Sequence, residues 1–173
     1  MSEAIVISTS GGRSNWVEMC LESISTSIPT IVVSTGGYEL GKIKWIYENT
    51  SIDRFVFIQD SIVIRDNSLL ENLFDLKGSV CLMDEPSCFG SYLGLYERET
   101  LEKTLIPDVL DKEESITQEI AWTRQYAHAC GGHNYIRHPE FIRHNIVETV
   151  WRNGRVNKLY VNPLYEKWKG TWR

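Results

Sequence analysis

The chain has 173 residues, of which 42% are hydrophobic and 24% charged, and its formal net charge is −5. That is enough for one domain with a real core, and the acidic balance excludes a broad polyanion-binding face while leaving room for a local basic groove. No apolar run is long enough to cross a bilayer and no secretory segment opens the chain, so a cytoplasmic protein is expected, with Cys20, Cys81, Cys88 and Cys130 reduced and mostly packed.

Ala4–Thr9 (AIVIST) predicts a first strand, followed by the loop Ser10-Gly11-Gly12-Arg13-Ser14. From Asn15, Val17, Leu21, Ile24 and Ile28 recur at helical spacing until Pro29. Thr30–Ser34 predicts a second strand and Glu39–Tyr47 a helix with Leu40, Ile43 and Ile46 on one face. Phe55–Ile58 is a third strand that stops at Gln59-Asp60-Ser61, and Asn67–Phe74 is a short helix. Further strands are expected at Ser79–Met83, Ser91–Tyr96 and Asn134–Arg137, with helices at Glu97–Leu105 and Ile116–Ala129. The alternation predicts a single α/β domain over residues 1–173 with an open, mostly parallel sheet flanked by helices, and residues 151–173 as an aromatic and basic tail. In such sheets ligands bind beyond the carboxyl ends of the strands, where Thr9–Arg13, Thr35–Tyr38 and Asp60 all fall.

The loop STSGGRS suits a diphosphate cradled by backbone N–H groups and Arg13, or a plain turn; it matches neither GxGxxG nor GxxxxGK[ST]. Asp60 at a strand tip suits an oxygen-liganding cation, or a solvated turn. Glu119, near the start of its expected helix, suits a general base, or complementation of the helix dipole with Ser115 or Thr117 as the cap. His128, His133, His138 and His144 cluster without metal-ligand spacing. Trp151, Tyr160, Tyr165, Trp168 and Trp172 suit stacking on a sugar or base, or pinning the tail to the domain.

In order and spacing, these pieces resemble the GT-A glycosyltransferases from Ile5 to about His144. IVISTSGGRSNWVEMCLESI is similar to that family's first strand, loop and helix, and FVFIQDSIVIRDNSLLENLF to the strand that carries its DxD metal motif. CFGSYLGLYERETLEKTL is similar to the acceptor-side strand, ITQEIAWTRQYAHACGG to the segment of the catalytic base, and EFIRHNIV to the setting of a late metal-ligand histidine. The resemblance implies transfer of a sugar from a nucleoside-diphosphate sugar to an acceptor hydroxyl, dependent on Mn²⁺ or Mg²⁺ and inverting if Glu119 is the base. It implies Asp60 and His144 as metal ligands, and Ser8, Thr9 and Arg13 near the donor nucleotide. The usual DxD reads Gln59-Asp60-Ser61 here, so Gln59 supplies no charge, and the usual Glu-Asp pair reads Gln118-Glu119. The acceptor stays open among a glycan, a protein side chain, a lipid-linked sugar and a modified nucleic-acid base. Two other readings stand beside this one. A nucleotidyltransferase of related architecture would want more cations in the first loop than Arg13, and a non-catalytic nucleotide-sugar or glycan-binding module would keep the fold without the chemistry.

Overall fold

Ala4, Ile5, Val6 and Ile7 are all buried, which is what a continuous apolar run means when both faces of its strand are covered. The computed structural model describes residues 1–76, 80–81, 93–130, 146–152, 155–161 and 163–170; at 80–81, 146–152, 155–158, 160 and 169–170 it describes the backbone alone. In chain order the elements are β1 (Glu3–Ser8), α1 (Ser14–Ser23), β2 (Thr30–Val33), α2 (Tyr38–Asn49), β3 (Arg54–Gln59), β4 (Ile62–Ile64), α3 (Ser68–Asp75), β5 (Val80–Cys81), β6 (Leu93–Glu97), α4 (Arg98–Leu101), α5 (Lys112–Ala129), β7 (Ile146–Arg152), β8 (Arg155–Val161) and β9 (Tyr165–Gly170).

The main sheet has the order β2-β1-β3-β6-β5. β1 pairs in parallel with β2 and β3, and β6 runs against both β3 and β5, so the sheet is mixed but mostly parallel. The two-residue period of the strands sorts their side chains onto two faces. Ile5, Ile7, Val56 and Ile58 pack with Cys20 of α1 and with Leu69, Leu70 and Leu73 of α3. Val6, Phe55, Phe57 and Tyr96 pack with Leu40, Ile43 and Ile46 of α2 and with Trp122 and Tyr126 of α5. Cys20 and Cys130 are buried, as expected; the side chains of the other two lie outside the described residues.

Two arginines tie the amino edge of the sheet together. Arg98 donates to the carbonyls of Tyr47, Ile52 and Thr50 at 2.8, 3.0 and 2.6 Å, which satisfies the chain leaving α2. Arg54 pairs with Glu3 at 2.8 Å and donates to the carbonyls of Phe74 and Leu76 at 2.9 and 2.8 Å. At the other edge α2 starts from a tight turn: Gly37 has φ +81° and its carbonyl accepts from Gly41 N at 2.7 Å. A Cβ on Gly41 would stand 2.4 Å from the Gly36 carbonyl oxygen, so the turn closes on the helix only because position 41 is glycine.

The structure differs from the sequence reading in several places. α1 stops at Ser23, where Ile24 turns extended, well short of Pro29, and the helix expected at Glu97–Leu105 is the single turn α4. The apolar run after Asp60 contains a short strand, β4, ahead of its helix. The long helix begins at Lys112, not Ile116, because Asp111 is its cap and accepts from Glu114 N at 2.8 Å; neither Ser115 nor Thr117 plays that part. The stretch expected as a tail contributes β8 and β9 to an antiparallel sheet of order β4-β9-β8-β7. Tyr165 and Trp168 are buried, and Trp168 N donates to the Ser61 carbonyl at 2.8 Å, which brings β9 against the turn that follows β3. The strand expected at 134–137 lies outside the described residues.

Candidate functional site

β1 and β3 end side by side, with Ser8 in register with Gln59. The pairing runs one residue further, since Asp60 N donates to the Ser8 carbonyl at 2.9 Å, while Thr9 N donates to the Val33 carbonyl of β2 at 3.0 Å. Three strand ends thus fix the positions of Thr9 and Asp60 at the carboxyl edge. There Thr9 Oγ1 donates to Asp60 Oδ2 at 2.7 Å. Arg13, the residue just before α1, turns back so that its Nη2 lies 3.0 Å from Asp60 Oδ1. Its guanidinium also sits 6.0 Å from the ring centre of Trp16, which in turn meets Trp168 of β9 at 5.9 Å.

Asp60 is 2% exposed. Burial pushes its carboxyl above the ordinary carboxylate range, and Glu39 pushes the same way; the Thr9 hydroxyl, Arg13 and Lys167 pull it back. Gln59 joins two further charges: its Nε2 donates to Glu39 Oε1 at 2.7 Å, and its Oε1 accepts from Lys167 Nζ. Lys167 also donates to Ser61 Oγ at 2.6 Å. Lys42 is 4% exposed and donates to the Tyr38 carbonyl at 3.0 Å. Burial holds its ammonium below the ordinary lysine value, Glu39 and Asp60 work against that, and Arg13 adds to it. Burial, with Asp60 next, pushes the Cys20 thiol up to about 12, so this cysteine is an inert wall of the site.

Ser8, Thr9, Arg13 and Asp60 are therefore together. Glu119 is carried separately, on α5, over the sheet face opposite to Cys20 and Tyr165. It lies mid-helix, in line with buried Ser115 one turn before it and buried Trp122 and Thr123 one turn after it, so it belongs to the stripe that meets the sheet. Its distance from the capped end removes the dipole reading of this carboxylate. His144 lies outside the described residues. Sequence reasoning missed Glu39, Lys42 and Lys167. Lys42 had a legible signal: it stands one turn before buried Ile46, on the inward side of an amphipathic helix. Lys167 had none without knowing that β9 pairs with β4.

Among the described residues, no three His, Cys, Asp or Glu side chains are grouped as metal ligands. A groove of about 450 Å³ beyond the end of β2, between Thr35, Gly37, Trp45 and Val109, shares no lining residue with the Asp60 cluster.

No family model and no curated protein sequence matches the chain. Its fold is similar to that of A197 from STIV, with 12% identity and a TM-score of 0.51 over 99% of this chain and 96% of that one. It is similar to the mannosyltransferase PcManGT from Pyrobaculum calidifontis, solved in complex with GDP-Man and Mn²⁺, with 12% identity and a TM-score of 0.51 over 78% of this chain and 53% of that one. It is also similar to S. aureus TarS 1-349, with 9% identity and a TM-score of 0.50 over 73% of this chain and 55% of that one. The match to the last two spans little more than half of their lengths. No helix among the described residues is long and apolar enough to cross a membrane. With its mostly parallel central sheet between two layers of helices, the chain has a GT-A-like glycosyltransferase fold.

Proposed function

We propose that the chain is a glycosyltransferase that moves a sugar from a nucleoside-diphosphate sugar to an acceptor hydroxyl. The observation that carries this reading is the buried Asp60, held by Thr9 and Arg13 and flanked by Lys42 and Lys167 at the carboxyl edge of the sheet. A desolvated carboxylate among buried and half-buried cations contributes little to stability, and such clusters belong more often to sites than to scaffolds. The likeness to PcManGT supports a nucleotide-sugar donor.

In this reading the donor diphosphate lies over the ends of β1 and β3, near Ser8 and Thr9, where Arg13 and Lys167 donate charge-assisted hydrogen bonds to its oxygens. Glu119 takes the proton of the acceptor hydroxyl as that oxygen attacks the anomeric carbon. The bond from that carbon to the diphosphate oxygen breaks, the electron pair leaves with the diphosphate, and the configuration inverts.

Metal dependence, implied by the resemblance, would rest on Asp60 and on His144. The described donors do not suit a divalent cation: Asp60 is one carboxylate whose two oxygens already meet a guanidinium and a hydroxyl, and the amide oxygen of Gln59 meets an ammonium. No step is therefore routed through a metal.

The neutral Gln59 beside Asp60 favours a second reading, a module that binds a nucleotide-sugar without turning it over. Incubation with a panel of nucleotide-sugars separates the two. The enzyme releases a nucleoside diphosphate from one of them, slowly in water and faster with its acceptor, whereas the module binds one and leaves it intact.

A further inference from the structure

We infer that Arg13, Lys42 and Lys167, and not a divalent metal ion, carry the negative charge of the donor diphosphate. This rests on the proposed nucleotide-sugar site and deepens it.

The cations come from three separate elements: Arg13 from the loop before α1, Lys42 from α2 and Lys167 from β9. Arg13 and Lys167 reach the turn after β3, while Lys42 donates to the Tyr38 carbonyl at 3.0 Å. Arg13 contacts Asp60 at 3.0 Å. Lys167 is hydrogen-bonded to the residues on either side of Asp60, Gln59 and Ser61. Lys42 lies within electrostatic reach of Asp60, Glu39 and Arg13. Two carboxylates, Asp60 and Glu39, stand among the three cations, so this group carries a net charge of about +1 before a ligand enters. A divalent ion added there would meet like charges in a poorly solvated place, where their repulsion is strong. It would also have to take Asp60 from Arg13. A diphosphate meets the opposite situation. Arg13 presents a planar fork that matches phosphate oxygens, and the two ammonium groups act as point charges. The contacts of Arg13 and Lys167 carry the inference; Lys42 adds to it, because burial disfavours its charged form and an anion alongside would relieve that.

Asp60 is then a positioning residue that aims Arg13, with Thr9 fixing its rotamer from the other oxygen. Its partner on the opposite side of the turn is Lys167, so the loop before α1 and strand β9 are held against the same three residues.

The test is calorimetric titration of the full chain with UDP, GDP, CDP and dTDP, once in EDTA and once in excess Mn²⁺. The expected result is that one of them binds in EDTA as tightly as in Mn²⁺. Lys167→Met and Arg13→Ala are each expected to weaken it by about tenfold to a hundredfold in both buffers, as loss of a charged hydrogen bond does. Lys167→Arg, which keeps the charge, is expected to retain most of the affinity. Should Lys167→Met fail to fold, the partly exposed Arg13 carries the same comparison. A nucleotide that binds only with Mn²⁺, or binds Lys167→Met and Arg13→Ala as tightly as the parent, overturns the inference and leaves the nucleotide-sugar reading standing. No binding in either buffer overturns both.

Discussion

Arg13 Nη2 and Asp60 Oδ1 lie 3.0 Å apart, yet burial raises the Asp60 carboxyl above its ordinary value of 3.8. Desolvation thus outweighs the ion pair. An acid whose pKa is higher in the folded state binds more protons folded than unfolded, so it lowers stability as pH rises from 3.8 through the raised value. Asp60→Asn, which removes that charge, is expected to gain in melting temperature relative to the parent across this window and to hold the gain at neutral pH. Thermal melts of both proteins over a pH series check this. A variant that instead loses ground as pH rises would mean that the contact with Arg13 dominates.

Lys42 runs the opposite way. Its ammonium is held below 10.5, so the folded chain binds fewer protons than the unfolded one between the lowered value and 10.5. Stability of the parent therefore rises with pH across that window. Lys42→Met is expected to be more stable than the parent at neutral pH, with the difference shrinking as pH approaches 10.5. The same variant is expected to bind nucleoside diphosphate more weakly, the trade that a site residue makes. Paired melts and titrations read both effects.

Glu119→Gln keeps the shape of the side chain and removes its basicity. Donor affinity is expected to survive while transfer falls by about 10²–10⁴-fold, the usual share of a general base. Because Asp111 caps α5, little change in stability is expected. Transfer rate and donor affinity, measured side by side, check the assignment; a variant within a few-fold of the parent moves the base elsewhere.

Arg98→Ala tests the scaffold and not the site. It removes the donors that meet the carbonyls of Tyr47, Thr50 and Ile52, and is expected to destabilise the chain by about 2–4 kcal/mol. Urea unfolding should show a lower midpoint at unchanged slope. Nucleotide affinity of the folded protein should not change, since Arg98 sits at the opposite edge of the sheet from Asp60.

The main sheet was legible because its strands are continuous apolar runs set between helices of clear period, and because Gly and Pro mark their ends. That reading located the carboxyl edge, and with it Thr9, Arg13 and Asp60, before any contact was known. β4 and β9 were not legible for a related reason. The strand Tyr165-Glu166-Lys167-Trp168-Lys169-Gly170 has no two-residue period to read: its buried aromatics Tyr165 and Trp168 are three residues apart, on opposite faces, with charges between and after them, and only its pairing with β4 shows it to be a strand covered on both sides. Lys167 and its place beside Gln59 come with that pairing. The start of α5 was misjudged because Asp111-Lys112-Glu113-Glu114 reads as a charged loop, whereas Asp111 is a cap and the two glutamates fill a first turn that favours negative charge.

The central claim, that the cluster around Asp60 receives a nucleotide-sugar and turns it over, is tested most directly by phosphorus NMR of the chain incubated with each of a panel of nucleoside-diphosphate sugars. The account predicts that the parent converts one of them to its nucleoside diphosphate and that Arg13→Ala, correctly folded, does so far more slowly. A panel left intact by the parent, or conversion by Arg13→Ala at the parent's rate, would contradict it.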